Sequence, residues 1–181
     1  MIFTATEISG VYLIDLELKE DNRGGFARTF CQKEFEQINF TKTFVQINHS
    51  YNLQKGTLRG MHYQMHPYQE SKLIRCISGS IIDVAVDIRK DSPTFLQHIK
   101  VELSANNRTM ILIPEGCAHG FQTLHDNTEL IYHHTSYFNP ITDNGLNYSD
   151  PLLNIEWDLP ISNISEKDKT YSLLTKKYKG I

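Results

Sequence analysis

The chain has 181 residues, with 18 Lys and Arg against 21 Asp and Glu and a formal charge of −3. That length suits one domain, residues 1–181, able to bury a core, and the slightly acidic balance leaves no electrostatic footprint for a nucleic acid. Three cysteines, Cys31, Cys76 and Cys117, lack CxxC spacing and suggest neither a disulfide framework nor a zinc site. No apolar run reaches membrane-spanning length, and MIFTATEISG is too polar for a signal peptide, so a reducing, cytoplasmic setting is expected.

In chain order, residues 11–18 (VYLIDLEL) read as an early strand, ended by the turn signal DNRGG at 21–25. Residues 26–30 alternate again, and 32–38 (QKEFEQI) predict a short helix. Residues 44–50 (FVQINHS) read as a strand with Gln46, Asn48 and Ser50 on one face, suited either to the edge of a planar ring or to solvent. Residues 55–89 then organise the rest. Ile82, Val84, Val86 and Ile88 alternate with Asp83, Ala85, Asp87 and Arg89, giving one apolar and one polar face. Ser78-Gly79-Ser80 supplies the hairpin turn before them. Further strands are expected at 98–103, 109–113 and 129–135, the last with Leu130, Tyr132 and His134 on one face. Residues 139–160 read as loop, and 165–178 as a terminal helix with Ser165 as N-cap and Asp168 completing a capping box.

Many short strands between Gly, Pro and Asn turns predict an all-β fold, a cupin-like double-stranded β-helix (jelly-roll) barrel with a minor C-terminal helix. Arg59, His62 and Lys72 then fall where side chains enter a lumen and converge on one anionic ligand. Pro114-x-Gly116-x-x-His119 resembles the second cupin motif, and Gly60-x-His62-x-Gln64 with Glu70 and Gly79 resembles the first. Gln64 stands where metal-binding cupins carry a second histidine. His62 and His119 alone are two ligands where a metal needs three or four, so no metal and no cofactor is expected. Imidazoles in a lumen suit proton transfer.

The runs DNRGGFARTF (21–30), GTLRGMHYQ (56–64), DVAVDIRKDSPTF (83–95) and IPEGCAHGF (113–121) together resemble the dTDP-4-dehydrorhamnose 3,5-epimerase family over about residues 21–168. The resemblance implies a homodimeric, metal-free jelly-roll acting on a dTDP-4-keto-6-deoxy sugar. It implies His62 as the base beside the ketone, Asp168 as its acidic partner, Tyr132 as the acid on the opposite face, and Lys72 as a further catalytic residue. It implies Arg23, Arg59 and Lys167 at the diphosphate, with His119 nearby. Gln46, Ile47, Asn48 and His49 match the segment that reads thymine, and Phe138 matches an aromatic that stacks on it. Three positions depart from the family pattern: Arg28 stands where a glutamate is usual, Asp143 replaces a longer glutamate, and Phe138 replaces a tyrosine. The alternatives are a C3- or C5-only epimerase of a related sugar, a metal-dependent cupin oxygenase or isomerase, and a non-catalytic nucleotide-binding cupin.

Overall fold

The computed structural model of the protein describes residues 1–181. The chain runs β1 (Ile2–Ala5), β2 (Tyr12–Asp15), β3 (Lys19–Asp21), β4 (Gly24–Phe26), α1 (Gln32–Phe35) with a 3₁₀ turn over Glu36–Ile38, β5 (Gln46–Asn52), β6 (Thr57–Gln64), β7 (Lys72–Ser78) and β8 (Ser80–Asp87). There follow β9 (His98–Ser104), β10 (Met110–Ile113), β11 (Cys117–Thr123), β12 (Thr128–His134), β13 (Asp143–Gly145), β14 (Asn163–Ile164) and α2 (Glu166–Thr170). One sheet has the order β1-β2-β10-β7-β12-β5, the other β13-β6-β11-β8-β9, with β14 parallel to β6. Strands β5 to β12 thus divide between the sheets as 5-12-7-10 and 6-11-8-9, the two interlocked Greek keys of a jelly roll. Strands β3 and β4 form a separate hairpin.

Apolar burial occurs in three layers. Ile74, Cys76, Ile81, Ala85, Phe121 and Leu130 pack between the sheets. On the outside of β8, Val84, Val86 and Ile88 are covered by Leu146, Leu153, Trp157, Leu174 and Ile181, so the C-terminal stretch caps a face that would otherwise meet water. On the outside of the other sheet, Phe35 of α1 is fully buried among Phe3, Phe30 and Phe40. The alternation in β8 therefore separates two buried faces, and its acidic members point inward with Ile81 and Ala85. Asp83 and Asp87 are both fully buried.

Several expectations are corrected. The terminal helix is five residues long, because from Tyr171 the backbone turns extended to bury Leu174 and Ile181 against β8. There Ile181 N–H donates to Ile88 O. Ser165 Oγ does accept from the Asp168 N–H at 3.1 Å, but the Asp168 carboxylate goes to His62 and the Gly60 N–H instead of returning to the Ser165 backbone N–H as a capping box requires. The strand expected at 26–30 stops at Phe26, and Arg28 leaves it to pair with Glu34 at 2.6 Å. Strand β1 and the loop-like Asp143–Gly145, which pairs with β6, were not foreseen.

Candidate active site

The register of the sheets determines which side chains meet. On the first sheet His134 lies opposite Lys72 on one side and Gln46 on the other, and two residues along, Tyr132 lies opposite Ile74 and Asn48. On the facing sheet His62 lies opposite His119. Arg59 and His62 are three apart, an interval that strict alternation would send to opposite faces. The β6–β11 pairing resolves this: two residues, Gly60 and Met61, stand against the single Gly120 between Arg59↔Phe121 and His62↔His119. This bulge re-phases the strand, burying Met61 on the outer side while Arg59 and His62 line the same cavity. Gly60 has φ +130°, and a Cβ there would lie 2.5 Å from the Gly120 Cα, so only glycine fits the crossing.

The cavity, of about 250 Å³, is lined by Arg59, His62, Lys72, His119, Tyr132 and His134, together with Asn48, His49 and Ser50 of β5. His62 Nε2 is 2.7 Å from Asp168 Oδ1, and the Gly60 N–H donates to Asp168 Oδ2 at 3.2 Å. Burial would raise the Asp168 pKa, but the His62 hydrogen bond and the Gly60 and Ser165 contacts outweigh it and hold the carboxyl below its usual range. An ionised Asp168 accepts from Nε2–H, which leaves Nδ1 as the nitrogen of His62 able to take a proton.

His119 repeats the pattern, its Nε2 lying 2.8 Å from Asp83 Oδ2, and burial pushes its pKa down. Tyr132 stands 6.0 Å from the His119 ring, centroid to centroid. Burial, with the Asp83 charge beside it, raises the Tyr132 pKa well above that of a free phenol, so the hydroxyl keeps its proton. Lys72 is buried, donating from Nζ to His62 O at 3.4 Å and lying 3.3 Å from Glu70 Oε1.

A second depression of about 260 Å³ shares Arg59 and His62 and adds Lys167 and Asp168. Arg59 Nε donates to Asn52 Oδ1 at 2.7 Å and one outer nitrogen donates to Tyr51 O at 3.5 Å, which ties the guanidinium to β5. Lys167 pairs with Asp143. Gln46 accepts from the Phe138 N–H at 3.1 Å, while Ile47 and Phe138 are exposed beside it. His49 pairs with Glu129 at 2.8 Å. Gln64 holds the backbones of Tyr68, Tyr137 and Asn139 and so fixes the segment that carries Phe138.

Two expected site residues lie apart within this chain. Arg23 pairs with Asp21 on the β3–β4 hairpin, and Arg28 with Glu34, each beside a depression of its own. Conversely, sequence reasoning missed Asp83 as the partner of His119 and overlooked the buried pair of Glu70 and His134, 2.8 Å apart. The signal for Asp83 was its place on the inward face of β8. Nothing local pointed to Glu70 and His134, which are 64 residues apart.

A carboxylate-backed imidazole on one sheet, a protonated phenol on the other and a buried ammonium lining the same cavity define a jelly-roll isomerase that moves protons on a small polar ligand. The family model described as dTDP-4-dehydrorhamnose 3,5-epimerase matches residues 5–176. The chain is 45% identical over 164 residues to the dTDP-4-dehydrorhamnose 3,5-epimerase of Shigella flexneri, with 90% of each chain covered. It superposes with a TM-score of 0.92 on the dTDP-4-dehydrorhamnose 3,5-epimerase of Bacillus anthracis with TDP and PPi bound, at 39% identity over 96% of this chain and 99% of that one. The dTDP-6-deoxy-D-glucose-3,5-epimerase of Legionella pneumophila in complex with dTDP-4-keto-L-rhamnose superposes at 0.90, with 38% identity over 95% and 92%. The chain belongs to the dTDP-4-dehydrorhamnose 3,5-epimerase family.

Proposed function

We propose that the protein inverts C3 and C5 of a dTDP-4-keto-6-deoxyhexose, converting dTDP-4-dehydro-6-deoxy-D-glucose to dTDP-4-dehydro-L-rhamnose. His62 Nδ1 takes the proton from the carbon beside the ketone and becomes an imidazolium facing Asp168. The electron pair moves onto the carbonyl oxygen, and the Lys72 ammonium meets that enolate. Tyr132 delivers its proton to the opposite face of the same carbon, and its phenolate recovers a proton from solvent while His62 releases one. The same cycle at the second carbon gives the doubly inverted product, so atoms and charge balance with no further reagent.

One observation carries this reading: His62 and Tyr132 stand on facing sheets and line one cavity. Arg59, with Lys167 at the neighbouring depression, is read as the diphosphate clamp, since guanidinium forks suit that ligand. Phe138 and the Gln46–His49 segment are read as the nucleobase end. Arg23 and the 75% exposed Phe26, on a hairpin remote from His62, suit an element lent to a second copy in a homodimer; sedimentation as a monomer at assay concentration would remove that part. Three free thiols fit a reducing, cytoplasmic compartment. Incubation with the keto sugar in deuterated water tests the activity. Deuterium at both C3 and C5 of the inverted product is expected, and deuterium at one carbon alone would restrict the activity to a single inversion.

A further inference from the structure

Glu70 sits where metal-binding cupins carry a ligand, yet here it faces Lys72 and His134, and that placement has a use. Glu70 Oε1 lies 3.3 Å from Lys72 Nζ and Oε2 lies 2.8 Å from His134 Nδ1. The other side of His134, Nε2, is 3.3 Å from Asn48 Nδ2. Asn48 Oδ1 accepts from Gln46 Nε2 at 3.1 Å, and Gln46 Oε1 accepts from the Phe138 N–H at 3.1 Å.

The direction of this chain is fixed at one end. A backbone N–H can only donate, so Gln46 must turn its oxygen to Phe138 and its amide nitrogen to Asn48. Asn48 then offers its own nitrogen to His134 Nε2, which can accept only as a lone pair. His134 is therefore neutral with its proton on Nδ1, and that N–H donates to Glu70. Burial would raise the Glu70 pKa, but the His134 hydrogen bond and the Lys72 charge outweigh it, and the carboxyl stays below its usual range. Every donor runs from Phe138 toward Glu70, whose carboxylate pairs with the Lys72 ammonium at 3.3 Å.

We infer that Glu70 and His134 are positioning residues for Lys72: Glu70 anchors the ammonium, and His134, locked in one tautomer by β5, anchors Glu70. The side chains of Glu70 and His134 are 9% and 10% exposed, so neither is freely hydrated and each needs the other. This places the charge that meets the substrate under the control of the edge strand at the proposed nucleobase end. The inference rests on the role given to Lys72 above.

A double-mutant cycle with Glu70→Gln and Lys72→Ala tests it, reading turnover and dTDP affinity. Glu70→Gln keeps the volume and removes the charge; turnover should fall on the order of tenfold or more with dTDP affinity within about twofold. In the Lys72→Ala background the same change should have no further effect. His134→Leu should reproduce the Glu70→Gln loss, and His134→Asn, which keeps a donor near Nδ1, should restore most of it. Should His134→Leu unfold, the Glu70–Lys72 cycle still decides. A Glu70→Gln loss that persists in Lys72→Ala, or that appears in dTDP affinity with turnover intact, overturns the positioning role alone. A Lys72→Ala enzyme as fast as the parent overturns the role of Lys72 and this inference with it.

Discussion

Asp168→Asn is the substitution whose consequence the geometry constrains most tightly. The carboxylate accepts twice, from His62 Nε2–H at 2.7 Å and from the Gly60 N–H at 3.2 Å. An asparagine of the same shape has one acceptor and one donor for those two places. If its oxygen stays with Gly60, its NH₂ faces His62 Nε2 and forces the imidazole proton onto Nδ1, the atom that must be free to abstract. If it flips, two N–H groups oppose each other at Gly60 and the imidazolium loses its counter-charge. A charge-assisted hydrogen bond contributes about 1.5–3 kcal/mol, which converts to a rate loss of roughly 10- to 150-fold. A wrong tautomer extends the loss toward about 10⁴-fold, as in other carboxylate–histidine pairs. Solvent-deuterium incorporation followed by NMR measures the rate, and calorimetric titration with dTDP should find binding little changed. A variant within about threefold of the parent would refute the assignment of Asp168 as the partner that holds the base.

Further expectations follow from burial and backbone. Tyr132 must be protonated to act and its pKa is raised, so kcat should show no loss from phenol ionisation up to about pH 10; a basic limb near pH 8 would contradict this. Burial pushes the Asp87 pKa up, but Arg89, Ser92 and Thr94 outweigh it and depress the folded-state value strongly. Its ionised form therefore stabilises the fold fully above the unfolded pKa near about 4, and that contribution is lost as pH falls below it. Asp87→Asn should lower the unfolding free energy by about 3 kcal/mol at pH 7, with a smaller difference at pH 3, measured by urea denaturation. Gly60→Ala combines a positive φ with a backbone clash across the β6–β11 bulge and should cost about 3 kcal/mol or more, leaving little folded protein.

The sequence carried the fold through local signals. The period-two run in β8, the Ser78-Gly79-Ser80 turn and the Pro-Gly turn before β11 each follow from residue chemistry within ten positions, and together they define Greek-key strands. What stayed hidden depends on register between distant strands. The bulge that turns Arg59 and His62 to one side is invisible until β11 is laid against β6. Strand β13 is Asp-Asn-Gly, a turn-forming triplet that becomes a strand because β6 offers an unpaired edge, and its Gly145 leaves room for the Tyr171 ring. The terminal helix was over-extended because propensity along 171–178 is overruled by burial of Leu174. In the site, His62 and Asp168 were legible as a pair through the family resemblance, whereas the partners of His119 and Lys72 required the folded arrangement of the strands.

The central claim is that one cavity flanks a carbon with imidazole on one face and phenol on the other. Comparing His62→Ala with Tyr132→Phe in deuterated water tests it most directly, by following both exchange and configuration at C3 and C5. The account predicts that His62→Ala stops exchange altogether, while Tyr132→Phe still exchanges the proton through His62 but returns it to the same face, so configuration is retained. Inversion at near-parental rate in Tyr132→Phe, or undiminished exchange in His62→Ala, would contradict it.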